Sequence, residues 1–219
     1  DIFIVKDEDG AVYWPAFDVN GIANMTPGKG YQLKMTNEVS YTYPSNQDEL
    51  PMLRAAKVEN TVYTHQLKTA NNMTIGIPTG SLEGGFVYGD EIGVFDASGT
   101  LVGSTVYASG NMAVSVWGDD EITTTTKEGM AVGEDVNFRL YRNGQEYALA
   151  LDQWDLGNGS YQTNAVMMVG NMRLSGAATT AVYELSQNEP NPSNASTRIN
   201  FFVPENVEVN ITVYNMLGE

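Results

Sequence analysis

One histidine, no cysteine and twenty-seven carboxylates bound the chemistry open to this chain. His65 is the sole imidazole, so any Ser-His-Asp arrangement would have to be built around it. It follows the β-branched run Thr61-Val62-Tyr63-Thr64, and no Gly-x-Ser-x-Gly elbow occurs. It reads as a structural or exposed strand histidine. Zinc-type sites draw on several nitrogen or sulfur ligands, which one His without Cys does not supply. Carboxylate chemistry is left. Asp90-Glu91 and Asp119-Asp120-Glu121 are the densest acidic groups near predicted strand ends, and a glycosidase needs two carboxyls at a set separation. In so acidic a chain such pairs also arise by chance. Solvated turn carboxylates, a calcium-binding loop and a catalytic dyad all stay open, and no catalytic residue, metal ligand or cofactor is assigned.

Binding chemistry has one aromatic lead. Tyr147, Trp154 and Tyr161 lie in or beside the polar, glycine-rich connection Trp154-Asp155-Leu156-Gly157-Asn158-Gly159. Exposed aromatic rings on a β-sandwich stack on sugar rings, with Asp and Asn nearby to bind hydroxyls. These three are the candidate ligand-binding residues; the competing reading folds Trp154 back over the sandwich end. Trp14 and Trp117, at the ends of apolar strands, read as core. Gly28-Lys29-Gly30 lacks the spacing of a phosphate loop and reads as a tight turn feeding the strand 31–35.

Strands carry most of these residues. Val136, Phe138 and Leu140 alternate with polar neighbours, Asn143-Gly144 follows, and Tyr147, Leu149 and Leu151 then share a face. Alternation on both sides of Asn-Gly is the strongest short-range hairpin signal. Val207, Val209, Ile211 and Val213 form an equally regular half-buried strand pattern. Two further hairpins share a form, with Asp7-Glu8-Asp9-Gly10 and Asp96-Ala97-Ser98-Gly99 at their tips. Asp accepts hydrogen bonds from turn amides and Gly takes positive φ. Asp7-x-Asp9-Gly10 lacks the downstream acid of an EF-type calcium loop and reads as a plain turn. The expected fold is all-β: mostly antiparallel β-sandwich modules in tandem, immunoglobulin-like, with no substantial helix.

Composition narrows the partners. A formal charge of −16 and a sequence pI near 4.2 argue against nucleic acid and anionic membrane surfaces, which attract clustered Lys and Arg. No apolar stretch approaches the ~20 residues of a transmembrane helix. The absence of cysteine fits export through an oxidising compartment. Pro44 to Arg54 breaks the strand pattern, and Ser175 to Thr180 is a small-residue run. The expected organisation is a truncated β-module at 1–46, a linker at 47–55, a β-sandwich at 56–175, a linker at 176–184 and a final segment at 185–219.

That final segment carries Gln187-Asn188-x-Pro190-Asn191-Pro192, then Ser196-Thr197-x-Ile199-x-Phe201, Pro204-Glu205 and Val213-Tyr214-Asn215-x-Leu217-Gly218. In order and spacing it resembles the opening half of the C-terminal sorting domain of type IX secretion cargo in Bacteroidetes-type bacteria. Glu189, Ser193 and Ala195 depart from that pattern. The resemblance implies a secreted or cell-surface location at the outer face of the outer membrane. It also implies recognition of the complete sorting domain by the outer-membrane translocon, with Gln187, Asn188, Pro190, Asn191, Pro192, Tyr214, Asn215, Leu217 and Gly218 as the sorting motif. The segments around Val12-Tyr13-Trp14-Pro15 and Val116-Trp117-Gly118-Asp119 look like β-modules that recur upstream of that domain in such cargo.

The chain is read as an internal piece of a longer protein: a non-enzymatic stalk, adhesion or presentation module. The alternative is a carbohydrate-binding accessory region of a secreted hydrolase whose catalytic domain lies upstream. An incomplete sorting domain is expected to leave a β-edge that pairs with a second copy.

Overall fold

The computed structural model describes residues 2–40, 59–64, 68–120 and 126–177, with the strand segments 184–185, 189–194, 196–198 and 201–202 and positions 210 and 212. The linker at 47–55, His65, Glu121 and most of the sorting motif (Gln187, Asn188, Tyr214, Asn215, Leu217 and Gly218) lie outside the described residues. The chain is all-β: helix among the described residues is confined to the 3-10 turn η1, Pro15–Phe17. It divides into two compact units, Asp1–Ala178 and Thr179–Glu219.

The first unit begins with a small antiparallel sheet of β1 (Ile2–Asp7), β2 (Val12–Trp14), β3 (Val19–Asn20) and β4 (Tyr31–Met35), in the order β3-β2-β1-β4. The hairpin joining β1 to β2 turns as its sequence requires. Asp7 Oδ1 accepts from the N–H of Asp9 at 3.0 Å and of Ala11 at 2.7 Å, and Gly10 takes φ +82, a region open to glycine without a Cβ clash.

Seven strands make the larger sheet: β5 (Asn72–Ile77), β6 (Glu91–Phe95), β7 (Leu101–Val106), β8 (Met112–Trp117), β9 (Asn137–Arg142), β10 (Gln145–Leu156) and β11 (Val166–Ala177). Their order is β7-β6-β9-β10-β11-β5-β8. Every neighbouring pair is antiparallel except β11 with β5, which is parallel. The period-2 pattern puts Met73, Ile75 and Ile77 of β5, Val114 and Val116 of β8, and Phe138 and Leu140 of β9 into one interior cluster. Because all seven strands face that cluster, the sheet curves round its own core, and its edge strands β7 and β8 meet. At that seam a Cβ on Gly103 would lie 2.5 Å from the Ser115 carbonyl oxygen, so only glycine permits the approach. Repeated register shifts between β10 and β11 supply the curvature, as β-bulges do.

The two sheets share a second cluster. Ile4, Val12, Trp14 and Phe17 are buried, with Ala113, Val166 and Met168 of the larger sheet against them. Trp14 and Phe17 pack at 4.9 Å between ring centroids, with their planes tilted by 44°, directly over Gly76. A Cβ on Gly76 would come within 2.8 Å of the Trp14 ring and 2.9 Å of the Phe17 ring. The described parts of 1–46 and 56–175, separate in sequence, thus pack into one unit through an aromatic pair seated on Gly76 of β5.

In the second unit β12 (Glu184–Leu185) pairs with β15 (Phe201–Phe202), and β13 (Glu189–Asn194) pairs with β14 (Ser196–Arg198), both antiparallel. Pro190, Asn191 and Pro192 of the sorting-type motif lie on β13.

Candidate functional site

The three aromatic candidates do not form a platform. Tyr161 is 1% exposed and belongs to the main core cluster, so it offers no face to a ligand, contrary to the sequence expectation. Its hydroxyl presses on the backbone of Gly118, where a Cβ would clash. Trp154, on β10, is half-buried against Phe138 at 6.2 Å between centroids, and its indole covers Gly159. It therefore folds back over the core of the larger sheet. Tyr147 also packs on the core and donates its O–H to Gln145 Oε1 at 2.9 Å.

Asp90, Glu91 and Asp119 are each engaged with a structural partner. Asp90 is buried, forms an ion pair with Arg142, and accepts the Val87 N–H at 2.7 Å, which clasps the turn before β6. Glu91 takes the N–H of Thr61 at 2.6 Å and of Tyr63 at 3.0 Å, together with the Thr61 hydroxyl. Burial works to raise the Glu91 carboxyl, but the Thr61 hydroxyl and the three backbone N–H groups outweigh it and hold the group below its ordinary value. Asp90 lies in the turn before β6 and Glu91 is its first residue, and each binds a different partner. Asp119 accepts the Glu128 N–H at 2.7 Å, and Asp120 is half-buried. Among the described residues, no cluster of three or more His, Cys, Asp or Glu side chains could hold a metal ion.

The same pattern holds at Asp96 and Glu146. Asp96 closes its hairpin as Asp7 does, taking the N–H of Ser98 at 2.9 Å and of Thr100 at 2.8 Å, and adds an ion pair to Lys127 at 2.7 Å. Glu146 accepts the Tyr63 hydroxyl at 2.6 Å and faces Arg139 at 3.4 Å.

A site that sequence reasoning missed is a cleft of about 890 Å³ where the turns of the small sheet overhang the β7–β8 seam. Asp9, Lys29 and Lys68 stand on its rim, with Asn20, Asn60 and Tyr31 further along. Lys29 and Lys68 converge on Asp9 at 2.9 and 3.0 Å. Hydrogen bonding to Lys29 and then to Lys68 draws the Asp9 carboxyl down to about 2. The floor includes Ser115, whose hydroxyl donates to the Gly10 carbonyl at 2.7 Å, and the buried Trp117, whose ring lies against Gly10. Donors and acceptors of both signs therefore border one open volume. These residues come from segments far apart in sequence, so no local motif marked them.

No family model, curated protein or solved structure matches this chain.

Proposed function

We propose that this chain is a non-enzymatic β-module of a secreted or cell-surface protein, acting in presentation or attachment, with residues 185–219 contributing to an address read by the outer-membrane type IX translocon. The observation that carries the reading is how the buried carboxylates are used. Asp90, Glu91, Asp96 and Glu146 are all buried, and each is bound to an Arg, a Lys, a Tyr hydroxyl or turn amides that fasten one segment to another. Such groups stiffen a scaffold and are poorly placed to exchange protons with a substrate. No described helix is long and apolar enough to cross a membrane, which accords with attachment by other means. Among the described residues β3 and β4 are the outer strands of the small sheet, and such edges suit pairing with a second copy, which light scattering would register as a dimer.

The second reading, a carbohydrate-binding accessory region of a secreted hydrolase, is favoured by the mixed polar cleft, whose Tyr31 ring, Asn side chains and Asp9–Lys pairs match the donor and acceptor pattern of sugar hydroxyls. Incubating the chain with a panel of insoluble polysaccharides tests both readings. Retention without released reducing ends supports an attachment module, no retention leaves presentation alone, and release of reducing ends contradicts a non-enzymatic role.

A further inference from the structure

Among the described residues one buried charged group departs from the pattern of the carboxylates. Lys6, on β1, is 5% exposed. Its ammonium donates to Asn72 Oδ1 at 2.8 Å and to the Asn72 carbonyl oxygen at 3.4 Å, and no carboxylate among the described residues forms an ion pair with it. An ammonium has three N–H donors, and Asn72 accepts two. The neighbouring charge has the same sign: burial first, and then Lys34, lower the Lys6 ammonium to about 8. A buried cation beside a second cation is costly unless something compensates it.

The surroundings indicate what would compensate it. Lys6 borders a cavity of about 240 Å³ whose other polar side chains are Gln32, Lys34 and Asn164, with Ile4 and Val166 among its apolar walls. Register explains the convergence: Lys6 stands opposite Gln32, and Ile4 opposite Lys34, so all four share the face turned toward β11. Asn164 takes φ +63, and its N–H bonds to the same Asn72 carbonyl that accepts from Lys6. Every polar side chain lining the cavity carries N–H donors and none is a carboxylate, in a chain with twenty-seven acidic residues and eleven basic ones.

We propose that this cavity binds a compact oxyanion, the carboxylate, sulfate or phosphate group of a small molecule or acidic sugar, between the ammonium groups of Lys6 and Lys34 and beside the side-chain amides of Gln32 and Asn164. At ~30 Å³ per water-sized group, the volume admits about eight such groups, enough for the oxyanion itself and part of an attached ring. The anion supplies Lys6 with a counter-charge that no described carboxylate gives it, and relieves its repulsion by Lys34. The acidic surface repels anions at long range, so recognition rests on these short contacts. The inference stands independently of the export reading.

The test is a titration of the full chain, labelled with nitrogen-15, with glucuronate, inorganic sulfate and inorganic phosphate in turn, against chloride at matched ionic strength. Saturable shifts of the amides of Lys6, Gln32, Lys34 and Asn164 are expected with at least one anion. Shifts with glucuronate alone identify an acidic sugar; shifts with sulfate or phosphate identify a simple oxyanion site. Lys6→Met and Lys34→Gln are each expected to weaken binding about tenfold, whereas Lys29→Gln, at the other cleft, leaves it unchanged. Lys34 is exposed, so its variant reports even if Lys6→Met does not fold. No saturable shift with any of the three anions, or equal affinity in Lys34→Gln, would overturn the proposal.

Discussion

Lys6 and Asn72 form a polar tie between the two sheets of the first unit: the ammonium on β1 reaches both the side-chain oxygen, at 2.8 Å, and the carbonyl of the first residue of β5. The tie places a positive charge in a buried setting, which gives it a pH signature. The folded-state value of Lys6 is lowered to about 8 from its ordinary 10.5, so between these values the unfolded chain binds more protons than the folded one. Stability therefore rises with pH across that window, and the cost of burying the charge is fully present below about 8. Relative to Lys6→Met, the wild-type chain is expected to gain about 3 kcal/mol between the two ends of the window. Denaturant unfolding at stepped pH, in chloride buffers free of oxyanions, checks this; parallel curves for the two proteins would show that the charge is not buried.

Glu91 carries the opposite sign. Its folded-state value is lowered, so its contribution is present above its ordinary 4.5 and lost as pH falls through the folded value. Glu91→Gln keeps the shape but turns an NH2 group toward backbone N–H donors at 61–63. At neutral pH it is expected to cost about 1–3 kcal/mol, and the gap to the wild type should close as acid protonates the carboxylate. Urea unfolding at neutral and acid pH measures both parts.

The seating of Trp14 and Phe17 on Gly76 predicts a steric effect. Gly76→Ala places a methyl within 3 Å of both rings and should destabilise the first unit by about 1–3 kcal/mol. Trp14→Ala, which empties the buried contact, should cost about 3–5 kcal/mol. Thermal unfolding of both variants decides whether the small sheet is integral: midpoints within a degree or two of wild type would mean that it packs loosely.

Trp154 separates core from ligand roles. Since its ring covers Gly159 and faces Phe138, Trp154→Ala should lower stability by about 2–3 kcal/mol and leave any polysaccharide retention unchanged, whereas a variant at Tyr31, on the cleft, should reduce it. Retention lost on Trp154→Ala at unchanged stability would restore the ligand role.

Much of the scaffold was legible because its signals are local. The Asp-x-x-Gly turns at Asp7 and Asp96, the Asn143-Gly144 hairpin and the period-2 strands report backbone preferences that act within a few residues. Trp14 and Trp117 were likewise readable as core. Tyr161 was not, because its burial depends on the distant Gly118, which yields the space for its hydroxyl. The Lys6 cavity had one overlooked signal: Lys6 follows the buried Ile4 by two residues, so strand alternation already turned it inward. What converges on it, Asn72 and Asn164, comes from elsewhere in the chain. The cleft beneath Asp9 depends on the curl of a seven-stranded sheet, which no local pattern encodes.

The most direct measurement is protease accessibility of the full-length protein on intact cells of its native host, compared with a strain whose type IX translocon is disrupted. A surface module is digested or released in the first strain and protected in the second. Protection in both strains, or equal digestion in both, would contradict a type IX surface role.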